Sequence, residues 1–268
     1  MTSLALHVVA DPAAPLARRD PVAKMVAAFV PALALLVSVD PVAPAVVLTA
    51  TLACVPACGI AWGALARRAW PLAVGALTLA LGNAVFTDRK GGAVVVDAGP
   101  LLVTTESLAA GGANALRVLA IALPGFLAVL TIDPVDLADG LVQHLRVPAR
   151  FAYGALAALR LAPLMVAEWE VLGRARRARG LEAGGNPVGA VRLFAGKVFA
   201  LLVGAVRRGT RLAVAMDARG FDSHGPRTMA RVQQLTLGDA ALVAGAVAVT
   251  ALAVTLSVVT GAWSPLII

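Results

Sequence analysis

The sequence predicts an all-α integral membrane protein with about five transmembrane helices and a charged helical region on the cytoplasmic side. Three observations carry this. Only 14% of the 268 residues are charged, 60% are hydrophobic, and the mean hydropathy is +0.86; a soluble domain averages about 25% charged residues. The apolar runs approach the roughly 20 residues a helix needs to cross a bilayer, not the ~10-residue alternating segments of a barrel. The positive charge is unevenly placed: residues 133–237 hold 14 Arg and 1 Lys against 8 acids, out of a net charge of +8 for the chain.

Taken in order, residues 1–20 read as a cytoplasmic N-terminal tail; with several Pro and the charges Asp11, Arg18, Arg19 and Asp20, they lack the apolar core of a signal peptide. Residues 21–132 form a four-helix transmembrane region. Its apolar stretches run from Met25 to Val39, from about Val42 to Leu65, from Trp70 to Phe86 and from about Ala113 to Ile132. Asp40-Pro41 separates the first two, Arg67-Arg68 the second and third, and a polar loop over 87–107 the third and fourth. Arg117, near the start of the fourth, can snorkel to the interface. Residues 238–268 hold the last membrane run, Ala240 to Val259, with Trp263 beyond it as an interfacial anchor. Gly59, Gly63, Gly75 and Gly82 permit close helix approach. Cys54 and Cys58 are four apart in an apolar run and read as small core residues, since a metal site needs more ligands.

Residues 133–237 differ in kind. Pro134 to Arg146 fits a short amphipathic helix, acidic at its start (Asp136, Asp139) and basic at its end (His144, Arg146), as the helix dipole favours. A long helix is expected from Pro148 to Gly180 and a second from Pro187 to Gly220, each with Pro near the start and Gly just past the end. With the N-terminus inside, five crossings satisfy the Lys/Arg bias in every loop and place 133–237 in the cytoplasm. Residues 151–167 and 188–206 are apolar enough to compete as spans. The first carries Arg160 and Pro163, the second Arg192 and Lys197, and a central Arg costs about 2.5–3.5 kcal/mol on insertion scales. Both therefore read as amphipathic helices near the membrane surface.

The two long helices end in copies of one phrase, forty residues apart: Ala178-Arg179-Gly180-Leu181-Glu182 and Ala218-Arg219-Gly220-Phe221-Asp222. Gly after a helix lets the backbone turn left-handed and satisfies the last carbonyls. Arg in the last turn suits the dipole. A narrow tip with a projecting guanidinium is suited to gripping a carboxylate bidentately in a partner's groove. A single copy would pass for an ordinary helix cap; the repetition at two helix ends points to recognition. Phe151, Ala155, Ala158, Leu159, Ala162, Val166 and Trp169 recur at helical spacing in the first long helix, a stripe for packing.

On these residues the chain resembles the transmembrane T component of energy-coupling factor (ECF) transporters, the cobalt- and biotin-type permease family. Ala178-Arg179-Gly180 and Ala218-Arg219-Gly220 match that family's paired motifs, which end two coupling helices. Asp20-Pro21-Val22-Ala23-Lys24 resembles the phrase before its first membrane helix, with Val22 where the family pattern has Arg. Thr131-Ile132-Asp133-Pro134-Val135-Asp136-Leu137 resembles its entry to the first coupling helix. The resemblance implies a non-catalytic scaffold in a bacterial plasma membrane. It implies two ATP-binding cassette (ABC) ATPases docked at the Arg-tipped helices, and a small membrane-embedded S component that binds a vitamin or transition-metal ion. The stripe from Phe151 to Trp169 would face the S component. No cofactor, resident metal or nucleic-acid partner is implied.

Two other classes compete. A stand-alone secondary transporter would place charges or broken helices at the membrane midplane, and the five runs hold almost no central charge. A membrane-embedded enzyme would need clustered acids or paired His. Asp133, Asp136 and Asp139 are three apart, which the helix dipole explains more simply, and His7, His144 and His224 are scattered.

Overall fold

The structure, a computed structural model, describes residues 11, 13–37, 40–86, 91–98, 101–181, 184–221, 229 and 231–263; for 95–98, 101 and 102 it describes the backbone alone. The chain forms two compact units. One comprises the described residues within 7–140 and 233–268, the other those within 141–232.

The first unit is a helical bundle: α1 (Pro21–Val37), α2 (Val42–Cys54), α3 (Trp62–Phe86), α4 (Thr105–Thr131) and α8 (Leu237–Val259). Among the described residues, four helices are long and apolar enough to cross a membrane: α3, α4, α8 and, in the other unit, α7 (Pro187–Ala218). The apolar helices α1 and α2 are shorter. Leu35, Ala43, Val47, Ala120 and Ala253 form one buried cluster that joins α1, α2, α4 and α8. Val55, Cys58, Ile60, Leu65, Leu123, Leu127 and Leu130 form a second. Gly111 lets α4 approach α3 closely: a Cβ there would lie 2.4 Å from the Ala80 carbonyl oxygen.

The apolar runs do not all map onto the expected boundaries. The run from Val42 breaks at Pro56, where a 3₁₀ turn (Pro56–Cys58) and Gly59 at φ 70° reverse the chain. Proline cannot donate to the helix ladder, and glycine accepts the left-handed turn. Trp62 therefore opens α3 eight residues before Trp70, and Arg67-Arg68 lie inside that helix instead of in a loop. Pro71 is carried within it. Cys54 is exposed and Cys58 buried. The 87–107 loop contains an antiparallel hairpin, β1 (Val94–Ala98) with β2 (Leu101–Thr104), and α4 starts directly after it. Thr104 and Ser107 cap α4 reciprocally. The segment 13–20 is not a free tail: the Leu16 N–H donates to the Ala57 carbonyl at 3.1 Å, and Leu16 and Ala17 pack on the second core cluster.

Contacts within this unit place its helix ends. Asp20 N–H meets Asp239 Oδ1 at 2.9 Å, so α1 and α8 start side by side. Lys24 Nζ donates to the Thr131 carbonyl at 3.1 Å, so α4 ends on that same face. The bonds from Asp11 and Leu16 to Gly59 and Ala57 bring the α2–α3 junction there as well. On the opposite face Arg117 Nη2 donates to the Leu36 carbonyl at the end of α1. These positions are the ones an alternating five-helix path requires.

The second unit is built on α6 (Ala149–Ala178) and α7, with Asn186 capping α7 through the Val188 N–H at 3.0 Å and Pro187 in its first turn. The short helix α5 (Pro134–Gln143) crosses the boundary between the units. It ends three residues before Arg146, which sits at φ 53° in the turn toward α6.

Candidate functional site

The two Ala-Arg-Gly phrases fold into the same structure twice. After α6, Gly180 N–H donates to the Arg177 carbonyl at 2.9 Å and Leu181 N–H to the Arg176 carbonyl at 3.0 Å, with Gly180 at φ 71°. After α7, Gly220 N–H donates to the Asp217 carbonyl at 2.9 Å and Phe221 N–H to the Met216 carbonyl at 3.0 Å, with Gly220 at φ 73°. This pair of bonds is the Schellman motif, in which the left-handed glycine closes the last turn and satisfies two orphan carbonyls. Arg179 and Arg219 occupy the same cap position with nearly equal backbone angles, φ −92° and −90°, both with ψ 8°. Both are exposed. Among the described residues neither guanidinium has a carboxylate partner. Glu182 and Asp222, the acids that close each phrase, lie outside the described residues.

The helices carrying these tips run antiparallel. Tyr153, early in α6, meets Phe221, just past α7, edge to face at 6.1 Å. Midway, Arg208 grips Glu168 with two bonds, Nη1 to Oε1 at 2.5 Å and Nη2 to Oε2 at 2.7 Å. Near the other end Trp169 meets Phe194 at 5.3 Å and Arg176 Nη1 donates to the Leu193 carbonyl at 2.7 Å. The bidentate guanidinium holds the Glu168 carboxyl below the usual carboxylate range. The tips therefore sit at opposite ends of the pair. From Tyr153, beside the second tip, to the first tip is roughly 40 Å along α6 at about 1.5 Å per residue.

The stripe on α6 divides. Ala158 and Ala162 line a groove between α6 and α7 of about 690 Å³, with Gly154, Leu161 and Met165. Phe151, Ala155, Leu159 and Val166 are exposed, and Trp169 is half-buried against Phe194. Of the histidines, only His144 falls within the described residues. Among the described residues no three His, Cys, Asp or Glu side chains gather as a metal site would require.

In the bundle, the two sequence phrases around Asp20 and Asp133 meet. Asp20 caps α1, accepting from the Val22 and Ala23 N–H groups, and its own N–H is taken by Asp239. Asp239 Oδ2 also accepts from the Thr236 N–H and hydroxyl, each at 2.7 Å. Lys24 bridges the Ala17 and Thr131 carbonyls at 2.7 and 3.1 Å. Asp20, Lys24 and Asp239 are all buried. Reading the phrases singly does not show that Asp239 joins them. The signal was present as Thr236-Leu237-Gly238-Asp239, a capping-box spacing ahead of an apolar run.

The bundle and the paired, identically capped helices define a multi-pass α-helical membrane protein. Residues 12–230 match the family described as cobalt transport protein CbiQ, and the chain belongs to that family. It is 29% identical over 161 residues to the energy-coupling factor transporter transmembrane protein EcfT of Listeria innocua serovar 6a, covering 57% of this chain and 61% of that one. It is 30% identical over 158 residues to EcfT of Thermosediminibacter oceani, covering 56% and 60%. To EcfT of Staphylococcus aureus it is 26% identical over 158 residues, covering 56% and 59%. The matches thus span about three fifths of the length of these curated relatives.

Proposed function

We propose that this chain is the non-catalytic transmembrane scaffold of an ECF-type ABC importer. It would couple ATP hydrolysis by two bound ATPases to uptake of a vitamin or transition-metal ion through a substrate-binding S component. The observation that carries this reading is the repeated tip: two helices end in the same Schellman cap and present the same exposed Arg, at opposite ends of one antiparallel pair. One recognition element shown twice fits a partner with two equivalent grooves, such as an ATPase dimer. Motion of the two grooves toward or away from each other would then be passed along α6 and α7. Ala178, Arg179, Gly180, Ala218, Arg219 and Gly220 form the docking elements in this reading, and the α6 surface from Phe151 to Trp169 serves the S component.

The same reading keeps both long helices in the cytoplasm. The end of α4 and the start of α8 share one face of the bundle through Lys24 and Asp239, so the chain between them crosses the membrane an even number of times. α7 has the length and composition of a span; α6, with Arg160, Glu168, Glu170 and Arg174, does not. Parity argues against a crossing by α7 alone, and α6 lacks the composition for a second. Zero crossings leave both Arg tips on one side, within reach of one soluble dimer. Positive-inside bias makes that side the cytoplasm and puts the N-terminus there.

Each Arg–carboxylate contact with a partner would be charge-assisted and partly desolvated, and truncating one side costs about 2–5 kcal/mol. The test is co-purification from the native host of the tagged chain and of its Arg179→Ala/Arg219→Ala variant. ABC ATPases recovered with the first and lost from the second are the expected outcome. ATPases retained in full by the double variant would overturn the assignment of the tips.

A further inference from the structure

Three cations, Arg176, Arg177 and Lys197, border one cavity between α6 and α7. Arg176 crosses from α6 to the Leu193 carbonyl of α7. Gly173, buried and without a side chain, leaves a space that Arg177 Nη1 enters from α6 and Lys197 Nζ from α7. Each stops 3.7 Å from where a Cβ would stand. Lys197 Nζ lies 4.6 Å over the Trp169 ring. The ion pair of Arg208 with Glu168 lies further along the helices. Among the described residues no carboxylate pairs with Arg176, Arg177 or Lys197. The cavity they border, about 290 Å³, is also lined by Leu193 and Phe194. Like charges held together around a cavity repel one another until an anion enters.

The surroundings say which anion. Val191, Phe194, Val198 and Leu202 follow one another at helical spacing along α7, and all are exposed. Trp169 stands beside the cations at the edge of this apolar flank. Basic groups with an aromatic ring next to an exposed apolar helix face are the chemistry of the headgroup layer. A free phosphate would use the cations and leave the flank bare. An acidic protein segment would meet apolar surface where it needs polar partners. We propose that this cavity binds the phosphate of an anionic phospholipid, with its acyl chains along the Val191–Leu202 flank of α7. The proposal goes beyond the docking reading, since none of its residues belongs to the Arg-Gly tips.

The test uses the full chain, delipidated in detergent and examined by native mass spectrometry with dioleoyl phosphatidylglycerol, dioleoyl phosphatidylcholine or inorganic phosphate. Wild type is expected to retain one phosphatidylglycerol in preference to phosphatidylcholine, undisplaced by inorganic phosphate. Arg177→Gln/Lys197→Gln should weaken that binding about 25-fold, taking about fivefold for each cation at a lipid surface. Arg207→Gln/Arg211→Gln removes the same charge from exposed positions elsewhere on α7 and should bind as wild type does. Gly173→Leu fills the cavity while keeping every charge and should weaken binding too. Equal binding by the cavity variants and wild type, equal retention of the two lipids, or displacement by inorganic phosphate would overturn the proposal. So would cavity variants that lose a protein partner while keeping phosphatidylglycerol.

Discussion

Removing the carboxylate of Asp239 should destabilise the membrane bundle far more than its place in the first turn of α8 suggests. Asp239→Ala removes the Asp239 half of the capping box at the start of α8, which costs about 1 kcal/mol. It also removes the acceptor that the buried Asp20 N–H now meets at 2.9 Å, Asp239 Oδ1, a further ~1–3 kcal/mol. Together these lower the melting temperature of the purified chain in detergent by about 5–15 °C, at roughly 2–4 °C per kcal/mol for a chain of this size. Asp239→Asn keeps one acceptor oxygen but turns an amide NH₂ toward one of the present donors. It should fall between wild type and Asp239→Ala. Circular dichroism at 222 nm during heating is the assay. Equal midpoints for the three proteins would refute the argument that Asp239 ties the start of α8 to the start of α1.

Other expectations follow from single contacts. Gly111→Ala should lower the melting temperature by the equivalent of about 1–3 kcal/mol, because its Cβ meets the Ala80 carbonyl; Gly112→Ala, with open space around it, should be neutral or slightly stabilising, and the two melts side by side check this. Gly220→Ala forces a left-handed φ on a residue with a β-carbon, costing about 1–2 kcal/mol, and should raise amide exchange at positions 220 and 221, with Gly220→Asn better tolerated. Glu168, with its folded-state pKa lowered by Arg208, stabilises the α6–α7 pairing above the unfolded carboxylate pKa and loses that contribution as pH falls through the lowered value. Spin-label distances between α6 and α7 should therefore stay narrow from pH 7 to 5 and broaden only in stronger acid, whereas Glu168→Gln should be broad throughout.

The long helices were legible because their ends carry local signals. Pro148 and Pro187 mark the starts, Gly180 and Gly220 the stops, and the structure keeps each within two residues. The break inside the second apolar run was not, because Pro56 and Pro71 look alike in sequence. Only the neighbouring Gly59, with the Leu16 segment packed on its turn, makes Pro56 a terminus and leaves Pro71 inside a helix. The hairpin left a fainter trace, β-branched runs on either side of Gly99-Pro100. At the candidate site, the repeated phrase showed its own cap chemistry, but the antiparallel pairing that sets the tips apart depends on contacts such as Tyr153 with Phe221, which no local pattern encodes. The meeting of Asp20, Lys24, Thr131 and Asp239 is likewise tertiary, since these groups lie up to 219 residues apart in sequence.

The most direct test of the central claim is site-specific cross-linking. A photo-reactive residue is placed at position 179, at 219 or at the control position 159, and the chain is irradiated in native membranes. The account predicts an ATPase adduct from 179 and from 219 and none from 159. An intact complex that yields no ATPase adduct from either tip would contradict it.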